Sequence, residues 1–331
     1  MVSSTSPSVA PGTSLKSLVK VFVLTKQTED KSPRTVEFYS ENLRRFLWYS
    51  LKQNWSDDIR SFSEWHVREF IGYVANETNR WGLVGNGSEP TRRKVTHTTV
   101  HHYFVVLSNF FSWVVREGVL DESPCSNIKV AKPKDKVIKP YTKEEIERML
   151  AVCERDYQNN ARFLGSRNKA IVLVLVDSGV RLSELTGMKM ADIENSNGNI
   201  KIMGKGGKER IVRIGKVAQK SLWRYLMNRP NDGRAELWLT EEGIPLSSVA
   251  VQCMVKRLKQ RVGVGGSGVV HRFRHTFALN FLRVDKNVFN LQYLLGHSDL
   301  EMVKKYTSAL GMEDALKAHE KASPADTMGF K

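Results

Sequence analysis

At 331 residues the chain is long for one hydrophobic core and suits two domains, and its hydrophobic and charged fractions are those of an ordinary folded protein rather than a disordered one. A formal net charge of +16 points to a polyanionic partner, either nucleic acid or an anionic membrane surface. Three widely spaced cysteines (Cys125, Cys153, Cys253) without a CxxC pair exclude a disulfide framework and a cysteine-based zinc site, and no apolar run is long enough to span a bilayer.

Residues 1–12 are rich in Ser, Pro and Thr, lack the pattern of a secretory signal, and are expected to be disordered. Together with the cysteine usage this points to a reducing cytoplasm or a nucleoid within it. Helical periodicity then begins. "SLKSLVKVFVLTKQ" collects its apolar residues on one face, and "SPRTVEFYSENLRRFLWYS" opens with Ser32 as N-cap and Pro33 at the first helical position. "SEWHVREFIGYVANE" and "TTVHHYFVVLSNFFSWVVREG" continue the pattern around a Gly-rich basic loop, "TNRWGLVGNGSEPTRRKVTH". Residues 13–120 therefore read as a helical bundle, with its tryptophans mostly in the core and His101 and His102 on a helix surface or satisfied inside.

"DESPCSNIKVAKPKDKVIKP", residues 121–140, has the prolines and lysines of a basic, extended linker. A second domain, 141–310, starts with the capping-box pair Thr142 and Glu145. A helical stretch through "NKAIVLVLVDSGVRLSELTGM" follows, and then the period changes to two. "NIKIMGKGGKERIVRIG" reads as a hairpin with a Gly-Lys tip. Helices return in "SLWRYLMNRP", "SSVAVQCMVKRLKQRVG", "RHTFALNFLRV" and "VFNLQYLLG", and Ser298 with Glu301 caps a further helix carrying Tyr306. Residues 311–331 form a tail with one more short helix, in which Met312, Leu316 and His319 share a face. The fold class is mainly α with one small β-hairpin.

"HRFRHTF", residues 271–277, concentrates the chemistry. With side chains turning by about 100° per residue, Phe273, Phe277 and Phe281 share a stripe that anchors the helix, and His271, Arg274 and His275 point together roughly 110° away. Two histidines four apart are half of a zinc site, but the intervening Arg272 and Arg274 oppose a divalent cation. The arginine fork and imidazoles suit a phosphate; the alternative is a basic face turned to water. Elsewhere, "SGVRLSEL" places Arg181 before a helix with Glu184 to orient or neutralise it. "GKGGKE" puts Lys205 at a hairpin tip, and "LLGHSDLEMVKKYTS" sets His297 nine residues before Tyr306. Two arginines, a lysine, histidines and a tyrosine make a phosphoryl-transfer set that needs no metal.

Taken in this order, "SGVRLSEL", "GKGGKER", "HRFRHTFA" and "LGHSDLEMVKKYT" resemble the tyrosine recombinase (phage integrase) family over roughly residues 140–320, and the preceding helical bundle and basic linker resemble that family's core-binding domain by architecture. The resemblance implies a two-domain C-shaped clamp on duplex DNA. It implies Tyr306 as nucleophile, Arg181 and Arg274 as the clamp on the scissile phosphate, and Lys205 as the acid for the leaving 5′ oxygen. His271 would be the base, His297 a further stabiliser of the phosphate, and Glu184 and His275 supporting residues. It implies no cofactor and no metal. Its partners would be double-stranded DNA carrying an inverted-repeat core site and three further copies of the chain, assembled as a tetramer through the 311–331 tail. An accessory protein is a further partner of this class, and a membrane is not. Arg92, Arg93 and Lys94 in the loop, and Lys132 and Lys134 in the linker, are candidate phosphate contacts, the loop otherwise being solvated surface. Two rivals stay in view: a type IB topoisomerase using similar tyrosine chemistry, and a DNA-binding relative without activity.

Overall fold

The structure is a computed structural model that describes residues 12–77, 94–133, 139–194, 197–204, 207, 209–230, 233–266, 268–296, 316, 319 and 323. It divides into two compact units, Met1–Asp135 and Lys136–Lys331. No helix among the described residues is long and apolar enough to cross a membrane.

The first unit packs four helices: α1 (Leu15–Thr28), α2 (Pro33–Lys52), α3 (Glu64–Asn76) and α4 (His97–Arg116). Ser32 accepts a hydrogen bond from the Thr35 N–H and Pro33 occupies the first turn, so α2 starts where local chemistry places it. The core is aromatic. Phe22 meets Phe110 and Trp113 edge-on, and Phe46 does the same with Phe70 and Phe111. The described tryptophans are mostly core, as expected: Trp113 is buried, Trp48 and Trp55 pack half-buried against the core, and Trp65 alone of these four is exposed. The residues after α4 remain tied to this core, since Cys125 and Ile128 are buried in it and Val130 packs against it.

The second unit is built around α6 (Arg162–Ser178). Its run "AIVLVLV" is apolar on every side, and it touches α5 (Lys143–Gln158), α8 (Lys216–Asn228) and α10 (His271–Asp285). The Thr142–Glu145 capping box forms in full at the start of α5. β1 (Asn199–Met203) and β2 (Glu209–Arg213) pair antiparallel with Ile200 opposite Val212 and Ile202 opposite Arg210, giving the expected hairpin. The short α7 (Leu182–Thr186) precedes it, and α9 (Ser248–Arg261) and α11 (Val288–Leu295) are further helices among the described residues.

The phenylalanine stripe of α10 divides between two clusters. Phe273 is buried in the main core against Tyr141, whereas Phe277 and Phe281 pack with Ala278, Leu282, Leu291 and Leu295 where α10 meets α11. Arg272 is part of the framework. It is buried and donates to the carbonyls of Lys139, Pro140 and Gly265 and to the Glu145 carboxylate, with its guanidinium over the Tyr141 ring at 4.1 Å. Thr276, one turn on, accepts from the Tyr141 N–H. These bonds join the entry of the second unit to the start of α10. Replacing Arg272 by Met strands a half-covered carboxylate and several carbonyls, and should lower the unfolding free energy by about 3 kcal/mol in urea titrations. Arg257→Met, on the exposed side of α9, should change it by less than about 0.5 kcal/mol.

Candidate active site

The site is assembled where α6 ends. Gly179 terminates α6 in the left-handed region, φ 60°, and a Cβ there would lie 2.5 Å from the Phe277 ring. The chain turns through buried Val180 into Arg181, which caps α7. Arg181 and Glu184 behave as their three-residue spacing predicts. The Glu184 carboxylate accepts from the Arg181 backbone N–H and from Arg181 Nη1, both at 2.8 Å.

Arg274, on the inner side of α10, is 2% exposed and donates to the Gly179 carbonyl at 2.7 Å and the Leu295 carbonyl at 2.8 Å. Arg181 reaches the same Leu295 oxygen at 3.5 Å and the Gly296 oxygen at 3.4 Å. Two arginines 93 residues apart in sequence thus converge on the last turn of α11. The carbonyl end of a helix carries partial negative charge and favours cations. Burial of Arg274 corrects the expectation that the polar trio is presented together: its guanidinium lies inside, held by main-chain oxygens, while His271 is only partly covered and His275 is half-buried.

The imidazoles of His271 and His275 stand edge to face, 5.5 Å apart. Partial burial, then Arg274 and Arg181, hold the pKa of His271 below its ordinary value. His275 is brought down to about 4 by burial, His271 and Arg274. Both rings are therefore neutral at physiological pH and able to accept a proton or hydrogen bond.

Arg210 is the member of this cluster that the sequence reading passes over. From β2 it grips Glu184 with both Nη atoms, at 2.9 and 2.8 Å, and donates from Nε to the Leu294 carbonyl at 3.0 Å. The signal was present: Arg210 alternates with Val212 and so occupies the inward face of a strand, where a charge needs a partner. Burial pushes the Glu184 pKa up, but the hydrogen bonds from Arg210 and Arg181 outweigh it and bring the carboxyl down to about 2. Lys205, His297 and Tyr306 lie outside the described residues, as do Arg92, Arg93 and Lys134. Lys94 and Lys132 are described and exposed, both in the first unit. Leu316 and His319 of the tail are helical and exposed, and Met312 is outside the described residues.

Because the folded-state pKa of Glu184 is depressed from 4.5 to about 2, its contribution to stability is complete above pH 4.5 and is lost as pH falls through about 2. Glu184→Gln should therefore show a flatter decline of melting temperature than wild type over that acid window, alongside a lower melting temperature at neutral pH.

The family model described as "Phage integrase family" matches residues 139–311, and "Phage integrase, N-terminal SAM-like domain" matches residues 18–120. A protein named tyrosine recombinase XerD, from Halalkalibacterium halodurans, is 28% identical over 285 residues, covering 83% of this chain and 87% of its own. A tyrosine recombinase XerC from Leptospira interrogans is 26% identical over 314 residues, 94% of each chain. Among solved structures, the Tn1549 transposon integrase in complex with transposon right end DNA superposes with a TM-score of 0.70 at 17% identity, covering 94% of this chain and 99% of that one. A lambda integrase tetramer bound to a Holliday junction gives 0.66 at 15% identity, over 90% and 78%. At these identities the structural likeness establishes the fold. The two family matches together extend over both units, and on them the chain is a member of the phage integrase family, the tyrosine recombinases.

Proposed function

We propose that this chain is a site-specific DNA recombinase that cuts and rejoins strands through a 3′-phosphotyrosine. The observation that carries the reading is the meeting of Arg181 and Arg274 at one carbonyl oxygen, beside a neutral His271. One nitrogen of each guanidinium approaches that oxygen, which brings two fixed positive charges close enough to serve a single phosphodiester.

In this reading Tyr306 attacks the scissile phosphorus. A phenol titrates near 10, so it needs a base, and an imidazole whose pKa is held down by burial and two guanidiniums is unprotonated and ready to take the proton. Negative charge growing on the phosphate is met by Arg181 and Arg274 and by His297. Lys205 protonates the departing 5′ oxygen, so one phosphodiester bond is exchanged for another and no ATP or metal is consumed. A 5′-hydroxyl from a second duplex then reverses the attack and completes the exchange. Glu184 and His275 support the arginines and the base.

The partner is duplex DNA with an inverted-repeat core site, bound by four copies of the chain, with the 311–331 tail docking on a neighbouring copy and an accessory protein as a further participant. The units would close around the duplex as a clamp, with the reaction taking place on the nucleoid in the cytoplasm. The XerD and XerC relatives are named as tyrosine recombinases, and the lambda integrase neighbour is a tetramer on a Holliday junction; both support this assignment. Lys94, Lys132, Lys134, Arg92 and Arg93 are assigned to phosphate contacts, in keeping with the net charge of +16.

The test is covalent capture. Wild-type protein and Tyr306→Phe are incubated with fragmented genomic DNA from the source, quenched in detergent, and the attached ends sequenced. Adducts from wild type alone, joined at 3′ ends and clustered at an inverted repeat, are expected. Scattered adducts without a repeat would move the assignment to a type IB topoisomerase, and DNA binding without adducts from either protein would indicate an inactive relative. Affinity for a generic duplex should fall with salt, by roughly 0.9 log units per tenfold increase for each phosphate neutralised.

A further inference from the structure

Arg210 sits on the wrong face of its strand for an arginine. Its cross-strand partner is Ile202, its neighbour on the same face is Val212, and its side chain is 8% exposed. A buried cation is tolerated only with a counter-charge and filled hydrogen bonds, and Arg210 has both. Its bonds to Glu184 take one position on each carboxylate oxygen, and the Arg181 Nη1 and backbone N–H take one more on each. All four acceptor positions of the carboxylate are thereby engaged.

The charge balance follows from depth. Glu184, 4% exposed, carries one negative charge between two arginines, and Arg210 is the buried one while the Arg181 side chain is 38% exposed. The inner pair, Arg210 with Glu184, is close to neutral as a unit, so Glu184 orients Arg181 without cancelling its field. On its other side Arg210 donates to Leu294, one residue before the carbonyl that Arg181 and Arg274 share, and packs against Gly296, where a Cβ would lie 3.1 Å from its Cδ.

We infer that Arg210 is a positioning residue for strand cleavage: by holding both the Glu184 carboxylate and the end of α11, it sets where Arg181 points and leaves its positive charge available to the DNA. This rests on the recombinase reading above. Arg210 itself touches no DNA in this scheme; it acts through Glu184 and the main chain.

The experiment compares wild type, Arg210→Lys and Arg210→Met. Each is measured for folded fraction by circular dichroism, for affinity to a generic DNA duplex, and for the rate of covalent adduct formation on fragmented genomic DNA. Per folded, DNA-bound molecule, Arg210→Met should form adducts on the order of 10²-fold more slowly, since Glu184 then pairs with Arg181 alone and draws it inward. Arg210→Lys should fall between, because it restores the charge but not the two-pronged geometry. DNA affinity should be unchanged in both. A purely structural role predicts lower stability with a wild-type rate per folded, bound molecule, and that result would overturn the inference. Should Arg210→Met fail to fold, Arg210→Lys alone decides, by a reduced or a wild-type rate.

If wild type itself gives no adducts, it is the recombinase reading that fails. The guanidinium NMR signals of Arg181, assigned by their loss in Arg181→Lys, then test the coupling without catalysis. They should move in the Arg210 variants that fold, and their remaining in place would reject a positioning role.

Discussion

A buried guanidinium is costly unless its donors are met, and in the second unit half-exposed Arg181 and buried Arg210 draw on the same carboxylate, that of Glu184. Three elements meet there: the turn after α6, the inner face of β2, and the last turn of α11. None of these is held in place by apolar packing alone. The arginines also satisfy the carbonyls that α11 leaves open at its end, so capping a helix and building a cationic site are the same set of bonds. Polar groups that would be costly separately become affordable as a closed network.

The helices and their starts were legible from sequence because the signals are local. Ser32 before Pro33 and Thr142 three residues before Glu145 act within one turn, and each forms in the structure as read. The hairpin was equally plain, since alternation over five residues fixes which side chains face inward. The pairing of Arg181 with Glu184 also belongs to this class, with both partners on one short helix and its cap.

Depth was not legible in the same way. "HRFRHTF" shows that residues 272 and 274 are basic, but not that both are buried for opposite reasons. Arg272 fastens the entry of the unit, and Arg274 lies against the end of α11. Most of those partners lie 95 to 133 positions upstream or on a later helix, and main-chain carbonyls carry no mark in a sequence. Arg210 shows the complementary failure. Its inward register could be counted, yet the motif it shares with Lys205 points to the turn between the strands rather than to the strand itself. The family resemblance named candidate DNA-contacting residues and, in Glu184, one support for them, but neither Arg210 nor Arg272.

The fastening of Arg272 has a mechanical consequence. Three of its donors seize the main chain or an early side chain at Lys139, Pro140 and Glu145, and its own backbone lies between His271 and Phe273 at the head of α10. A displacement of residues 139–145 would therefore reach the residue beside His271 through this one side chain as well as through the core around Tyr141. The head of α10 is thus tied to the start of its own unit by a single guanidinium.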